Sequence, residues 1–374
     1  MPTSTAALDE SYMRRALDLA ARAQGRTFPN PMVGCVVLDS EGSVCGEGFH
    51  PKAGEPHAEV FALNEAKERA RGGTLYVNLE PCCHHGRTPP CVDKVLASGV
   101  KRVVVGSTDS NAKVDGGGLR ALRQAGVEVV QDVLAFESRY LNRGFFKAHE
   151  RNLPWLSLKM AGSLDGRIAD RDGKSRYITS ASALAYVQQL RAKEDCIMVG
   201  ANTARLDDPK LTARLDEGEI TPVRVVIDSR LTISPQARIF ASPGRVILFC
   251  AKKADQTGFK NSAEIYKVET SENGRLDLTS CLQKLAELGI RRVLCEGGGQ
   301  LAGSLIDSDL VDEFYWFVAP KILVDEAALP AVASRRARPL ADCLELKRLV
   351  VEPFAPDVLF HGLAPGGEMF LQSR

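Results

Sequence analysis

The sequence predicts an α/β protein of two domains, each built on a layered sheet. Three observations predict it. Strand-like runs alternate with amphipathic stretches of helical length along most of the chain. The alternation is interrupted at the polar segment AHERNLP (148–154), which ends in proline. At 374 residues, the chain is also too long for one ordinary core. The boundary is therefore placed at 150, giving domains 1–150 and 151–374.

Taken in order, SYMRRALDLAARAQG opens the first domain as a helix. It carries Met13, Ala16, Leu17 and Ala20 on one face, with Gly25 as the capping residue. MVGCVVLD (32–39), TLYVNL (74–79), VKRVVVGS (100–107) and VEVV (127–130) read as strands. HAEVFALNEAKERA, CVDKVLASG and LRALRQAG between them read as helices. In the second domain WLSLKMA, VRVVID (223–228), RVILFC (245–250), RRVLCEGG (291–298) and EFYWFVAPKIL (313–323) are strand-like. SALAYVQQLRAKE and LTSCLQKLAEL are helix-like, and beyond 323 the pattern fades into a tail.

Charge excludes several classes of partner. A net charge of +1 gives no field for nucleic acid or an anionic membrane, and no apolar run approaches a membrane span. No secretory core follows Met1. Most of the ten cysteines therefore read as small buried hydrophobes in a reducing cytoplasm.

One cluster resists that reading. PCCHHGRTPPC (81–91) packs three cysteines and two histidines into eleven positions, and PHAE (56–59) supplies another histidine. A catalytic zinc takes three protein ligands and keeps a position open for water. His57, Cys82 and Cys91 make such a set, with two thiolates balancing the metal charge. On spacing alone, Cys83, His84 and His85 remain open as alternatives. Glu59 does not share a helical face with His57, so it is expected to work around a helix start, moving protons without ligating metal. Cys82 is expected between a strand end and a helix start, where backbone amides favour a thiolate. A purely structural zinc would want four protein ligands and have no use for Glu59.

His-x-Glu followed by Pro-Cys and a later Cys resembles the zinc-dependent nucleotide deaminases. Eight residues separate Cys82 from Cys91 where two are usual. That longer loop resembles the deaminase domain of the bifunctional riboflavin-biosynthesis deaminase/reductases. Their motifs TxPNPxVG, HAE and PCxHxGxTPPC stand here as TFPNPMVG, HAE and PCCHHGRTPPC. The resemblance implies a cytidine-deaminase-like fold and one zinc per chain on His57, Cys82 and Cys91. It also implies Glu59 as the proton carrier and Asn30 on the substrate's ring edge. Cys83 then becomes packing, and His84 and His85 become pocket walls.

The second half resembles the reductase domain of the same family, a fold similar to dihydrofolate reductase. The matching stretches are KMAGSLDGRIA (159–169), SRYITS (175–180), ANTARLDDPKLTAR (201–214), VVIDSRL (225–231) and CEGGGQLAGSL (295–305). The glycines after a strand suit a dinucleotide's phosphates, although their spacing alone is weak evidence. A second run, VDGGGLRALRQAG (114–126), reads as an ordinary strand-to-helix turn. The resemblance implies NADPH on Ala161, Tyr177, Thr203, Asp207, Ser229 and the loop Gly298, Gly299, Gln300, Leu301, Ala302, Gly303 and Ser304. Tyr177 stands where the family commonly has tryptophan. Substrate contacts fall to Ser175, Arg191, Leu211, Arg214 and Glu296, with Lys159 nearby and Asp165 either a turn former or an active-site residue. The implied activity is hydrolytic deamination of a pyrimidine ribose-phosphate followed by reduction of its ribose. The implied partners are that small molecule, with no nucleic acid or membrane, and further copies of the chain in a dimer or tetramer.

Overall fold

The computed structural model describes residues 5–84, 89–110, 116–259, 262–271, 273–334 and 336–372. The chain divides into two compact units, residues 1–151 with 371–374, and residues 152–370.

The first unit begins with α1 (Thr5–Ala21), followed by β1 (Gly34–Leu38), β2 (Val44–Phe49), α2 (Ala58–Ala66), β3 (Thr74–Val77) and α3 (Cys91–Ser98). It closes with β4 (Arg102–Val105), α4 (Gly117–Gln124), β5 (Glu128–Val130), α5 (Ala135–Leu141) and α6 (Arg143–Arg151). The sheet order is β2-β1-β3-β4-β5, with β1 antiparallel to both neighbours and the rest parallel. Side chains alternate across it, as the pleat requires. Val36, Leu38, Tyr76 and Val104 pack with Met13, Ala16 and Leu19 of α1. Cys35, Val37, Leu75, Val77, Val103 and Val105 pack with α2, α3 and α4.

Strand β2 escaped the sequence reading because VCGEGF carries two glycines, which weaken a strand. Here they are needed. A Cβ on Gly46 would lie 2.1 Å from the Ala62 carbonyl oxygen, and one on Gly48 2.5 Å from that of Ala58. Glycine lets α2 lie directly on the hairpin. Helix α1 also starts earlier than expected, and Gly25, at φ +77°, lies in the turns after its end.

Asp9 ties α1 to the sheet. It accepts from Tyr76 Oη (2.9 Å) and from both Arg102 terminal nitrogens (2.7 and 2.8 Å). Burial alone would raise its carboxyl, but Arg102 and Tyr76 outweigh burial and hold it below 3.8. Asp9→Asn is therefore expected to cost about 2 kcal/mol in urea unfolding at pH 7. A depressed folded pKa stabilises above the unfolded value and loses that contribution as pH falls through the folded one. The gap between wild type and variant should thus close below pH 3.8; a gap that persists in acid would refute the ion pair's role.

The second unit runs β6 (Trp155–Ser163), β7 (Arg167–Ala169), α7 (Ala181–Lys193), β8 (Cys196–Gly200), α8 (Ala201–Leu206), β9 (Ala213–Leu215), β10 (Gly218–Ile220), β11 (Val223–Ile227) and β12 (Val246–Ala251). Then come β13 (Glu264–Val268), α9 (Leu278–Glu287), β14 (Arg292–Cys295), α10 (Gly299–Asp307), β15 (Glu313–Ala319), β16 (Leu329–Pro330), β17 (Lys347–Phe354), β18 (Asp357–Leu363) and α11 (Pro365–Gln372), whose last two residues count with the first unit. Nine strands form one sheet in the order β13-β12-β11-β8-β14-β6-β15-β18-β17. Strands from β13 through β15 are parallel, and β18 and β17 are antiparallel additions. Met198, Val225, Phe249 and Val293 pack against α9 and α10 on one face. Ile197, Val199, Val226, Leu248 and Leu294 pack against Ala183, Val187 and Leu190 of α7 on the other. Both faces are covered, so the central strands read as continuous apolar runs.

Two expectations are corrected. The tail beyond 323 is not featureless, because β17 and β18 complete the sheet. Strand β15 ends at Ala319, before Pro320, rather than running to 323. Among the described residues no helix is long and apolar enough to cross a membrane.

Candidate active sites

The first site sits where α2 begins. His57 is the residue before its first turn, in extended conformation, and Glu59 lies in that turn. The expected arrangement around a helix start is what the structure shows. Cys82 is placed differently from expectation: β3 has ended at Val77, and the next helix begins only at Cys91. The helical amide still reaches it, because Cys91 N–H donates to Cys82 Sγ at 3.4 Å.

His57, Cys82 and Cys91 have their ligand atoms within 4.8 Å of one another. His57 Nδ1 lies 3.2 Å from Cys91 Sγ and 3.5 Å from Cys82 Sγ. Ligands around a tetrahedral zinc with ordinary zinc–sulfur and zinc–nitrogen bonds stand roughly 3.3–3.8 Å apart. The donor set fits zinc in type and spacing. The Cys91 thiol, donating to Cys82, pulls Cys82 down toward thiolate and is itself pushed up. The bond to Cys82 raises His57.

Glu59 is 3 % exposed, and its Oε2 has no hydrogen-bond partner among the described residues. Burial pushes its carboxyl up, with His57 opposing. A buried carboxylate oxygen left without a partner beside a ligand triad is a group kept for a visiting molecule.

Asn30 is oriented by a relay. His50 is 2 % exposed, with Nδ1 3.0 Å from the Pro56 carbonyl oxygen and Nε2 3.1 Å from Asn30 Nδ2. A carbonyl only accepts, so Nδ1 carries the proton and Nε2 accepts from the Asn30 amide. With Nδ2 so engaged, Oδ1 is the acceptor atom of the Asn30 side chain. The loop behind it is pinned at Met32, whose N–H donates to Asn142 Oδ1 (2.7 Å) and whose carbonyl accepts from Asn142 and Asn78.

Glu80, beside the ligand loop, was not singled out by the sequence. It accepts from the amides of Asp109, Gly116, Gly118 and Leu119 at 2.8–3.2 Å, capping α4 with a protein carboxylate. That agrees with reading the glycines at 116–118 as a structural turn; Val114 and Asp115 lie outside the described residues. A Cβ on Gly118 would lie 2.2 Å from the Pro81 carbonyl oxygen, so glycine is needed to bring α4 against the loop. Glu80 in LEPCC gave no periodic signal to find. Cys83 packs with the apolar core as a partly buried residue. His84 is half-buried in the ligand loop, and His85 falls outside the described residues.

The second site lies off the carboxyl ends of the parallel strands, as open α/β sheets dictate. Glu296, just past β14, is gripped by Arg191 of α7 (Nη2 at 3.0 Å) and lies 3.7 Å from Lys159 Nζ on β6. Burial would raise Glu296, but Arg191 and then Lys159 outweigh it and hold it at about 2. Burial in turn lowers Lys159, with Glu296 opposing. Arg191 also donates to the Thr212 carbonyl (3.0 Å), joining this trio to the buried Leu211. Arg214 is exposed on β9.

Past the ends of β8, β11 and β14 opens a cavity of about 570 Å³, whose wall includes Gly200, Ile227 and Gly298. It is lined by Ser175, Thr203, Asp207, Ser229, Gly298, Gly299, Gln300, Leu301 and Ser304 among the expected residues. Ser175 donates to Asp207 (3.1 Å), and Gly298 N–H to Thr203 Oγ1 (2.9 Å). The structure does not bring every expected residue to this lining. Ala302 is wholly buried in the core, and Gly303 lies against the Ala333 backbone. Ala161 lies on β6, and Tyr177 is 70 % exposed in a loop. Asp165 is a turn former: it accepts from Ser163 Oγ and from the amides of Leu323 and Val324. The glycine-opened helix, the cavity and the hydroxyl and amide donors fit a dinucleotide.

A zinc-type deaminase unit joined to a nucleotide-dependent reductase unit is the class that these two sites define. Comparison with known proteins agrees. Residues 6–107 match the cytidine and deoxycytidylate deaminase zinc-binding region, and residues 154–360 match the RibD C-terminal domain. The chain is 41% identical to the riboflavin biosynthesis protein RibD of Escherichia coli, over 94% of this chain and 98% of that protein. It is 38% identical to the same-named protein of Aquifex aeolicus, over 94% and 97%. Among solved structures, RibD of Acinetobacter baumannii superimposes with a TM-score of 0.86 at 35% identity, over 96% of this chain and 99% of that one. The deaminase/reductase of Thermotoga maritima gives 0.85 at 35%, over 96% and 100%. The chain belongs to the RibD family of bifunctional riboflavin-biosynthesis enzymes.

Proposed function

We propose that this chain carries out two consecutive steps of riboflavin biosynthesis. Residues 1–150 remove the C2 amino group of 2,5-diamino-6-(5-phosphoribosylamino)pyrimidin-4(3H)-one by hydrolysis. Residues 151–374 then reduce the ribose, giving 5-amino-6-(5-phosphoribitylamino)uracil. The carrying observation is that ligand triad and orphaned Glu59 Oε2 lie together at one helix start.

His57, Cys82 and Cys91 would hold the zinc. When bound, zinc supplies the Lewis acidity that lets water ionise near neutral pH. Glu59 would take the attacking water's proton at Oε2 and return one to the departing nitrogen. Asn30 Oδ1 accepts from a ring N–H, and His50 keeps that oxygen facing the substrate. In the reductase site NADPH supplies the hydride. Ser175, Thr203, Asp207, Ser229 and the Gly298–Ser304 loop orient the cofactor, with Ala161 and Tyr177 at its margin. Arg191, Lys159 and Glu296 leave one net positive charge, which with Arg214 suits a phosphorylated substrate. Leu211 walls that side.

The same proposal takes the enzyme to be a cytoplasmic dimer or tetramer. Light scattering at assay concentration tests the assembly.

Cys91→Ser tests the site assignment. The variant is expected to lose its zinc and its ammonia release. It should still oxidise NADPH when given the deaminated intermediate. Retained zinc with full deamination would remove Cys91 from the ligand set.

A further inference from the structure

The β9–β10 hairpin carries Arg214, the exposed arginine of the proposed substrate site. The hairpin belongs to no larger sheet, since β9 and β10 form a two-stranded sheet of their own. Two strands alone are marginally stable in water. The chain entering them is strained as well: Leu211 is buried at φ +55°, in the left-handed region that side chains rarely adopt. Something must hold this hairpin in place, and α7 does.

Along an extended chain, the carbonyl of one residue and the amide two residues on point to the same side. On one side of β9 the Thr212 carbonyl accepts from Arg191 Nη1 at 3.0 Å, and the Arg214 N–H donates to Gln188 Oε1 at 3.0 Å. Gln188 and Arg191 stand three apart on α7 and so share a face. Together their side chains fill the place of a neighbouring strand. Arg191 also grips Glu296, so it joins the hairpin to the buried trio. Gln188 takes no part in that joint; its one bond is to the residue that carries the guanidinium. Glu219 stands directly opposite Arg214 across the hairpin, and opposite charges so placed attract. Even so, the Arg214 guanidinium has no ion pair among the described residues. A strand released from Gln188 would offer that charge to Glu219. A neutral amide suits position 188, because a carboxylate there would compete for both arginines.

We propose that Gln188 is a positioning residue of the reductase reaction: by accepting from the Arg214 amide, it holds the Arg214 guanidinium for the phosphorylated substrate. This rests on the reading of Arg214 given above. Gln188 itself touches neither substrate nor cofactor and acts through the backbone of β9.

The test follows NADPH oxidation by the full chain with the deaminated, phosphorylated intermediate, in Gln188→Met, Arg214→Ala and the double variant. Methionine keeps the length of the side chain and removes the strong acceptor. Gln188→Met should raise KM about five-fold, on the scale of one lost hydrogen bond, with kcat within about two-fold. In the Arg214→Ala background the same change should leave KM within about 1.5-fold, because nothing remains to be positioned. A purely structural role would lower kcat, or repeat the KM effect in both backgrounds. Either result, or an unchanged KM in Gln188→Met, would overturn the assignment while leaving the reading of Arg214 intact. A wild-type KM in Arg214→Ala is a different outcome, which sinks that reading and the role of Gln188 with it.

Discussion

Glu59→Gln is expected to abolish ammonia release while leaving one zinc per chain. The glutamine keeps the size and burial of the side chain but cannot take a proton from water. Loss of a general acid–base group costs about 10²–10⁴-fold. The upper end is expected here, because the same Oε2 both takes and returns a proton and, among the described residues, no other carboxylate joins the triad. Metal content by mass spectrometry separates this from misfolding: His57, Cys82 and Cys91 are untouched. NADPH oxidation with the deaminated intermediate should also be untouched. Full ammonia release from Glu59→Gln would mean that the proton travels by another group.

The second large effect is expected in the other unit. Glu296→Gln strips the counter-charge from Arg191 and Lys159, both partly buried. Breaking such a pair leaves uncompensated charge worth several kcal/mol. The expected loss in NADPH oxidation is about 10²-fold or more, with ammonia release unchanged. The pH dependence carries a sign. Burial would raise Glu296, but its cations hold it at about 2. Its contribution is therefore full above the ordinary 4.5 and fades only as pH falls toward 2. Unaltered NADPH kinetics in Glu296→Gln would place the substrate elsewhere.

The sequence announced some of this well and hid the rest for physical reasons. The three candidate ligands were legible because metal chemistry restricts residue type, and their side chains do converge. The position of Cys82 was misjudged, since a proline after a strand-like run says nothing of the four residues between Val77 and Cys82. Strand β8 was missed because CIMVG follows α7 almost directly, with no glycine or proline to mark the turn. Strand β17 was missed for the opposite reason: it lies at a sheet edge, mostly exposed, and has no buried alternation to read. His50, Asn78, Asn142 and Glu80 act by holding other residues. Their partners lie 20 to 110 residues away in sequence, which no local pattern records.

The most direct test of the two-step account supplies zinc-loaded protein with the diaminopyrimidinone ribose-phosphate, and follows ammonia with and without NADPH. The account predicts ammonia in both cases and NADPH oxidation only after ammonia appears. NADPH oxidation that precedes deamination, or no ammonia from zinc-loaded protein, would contradict it.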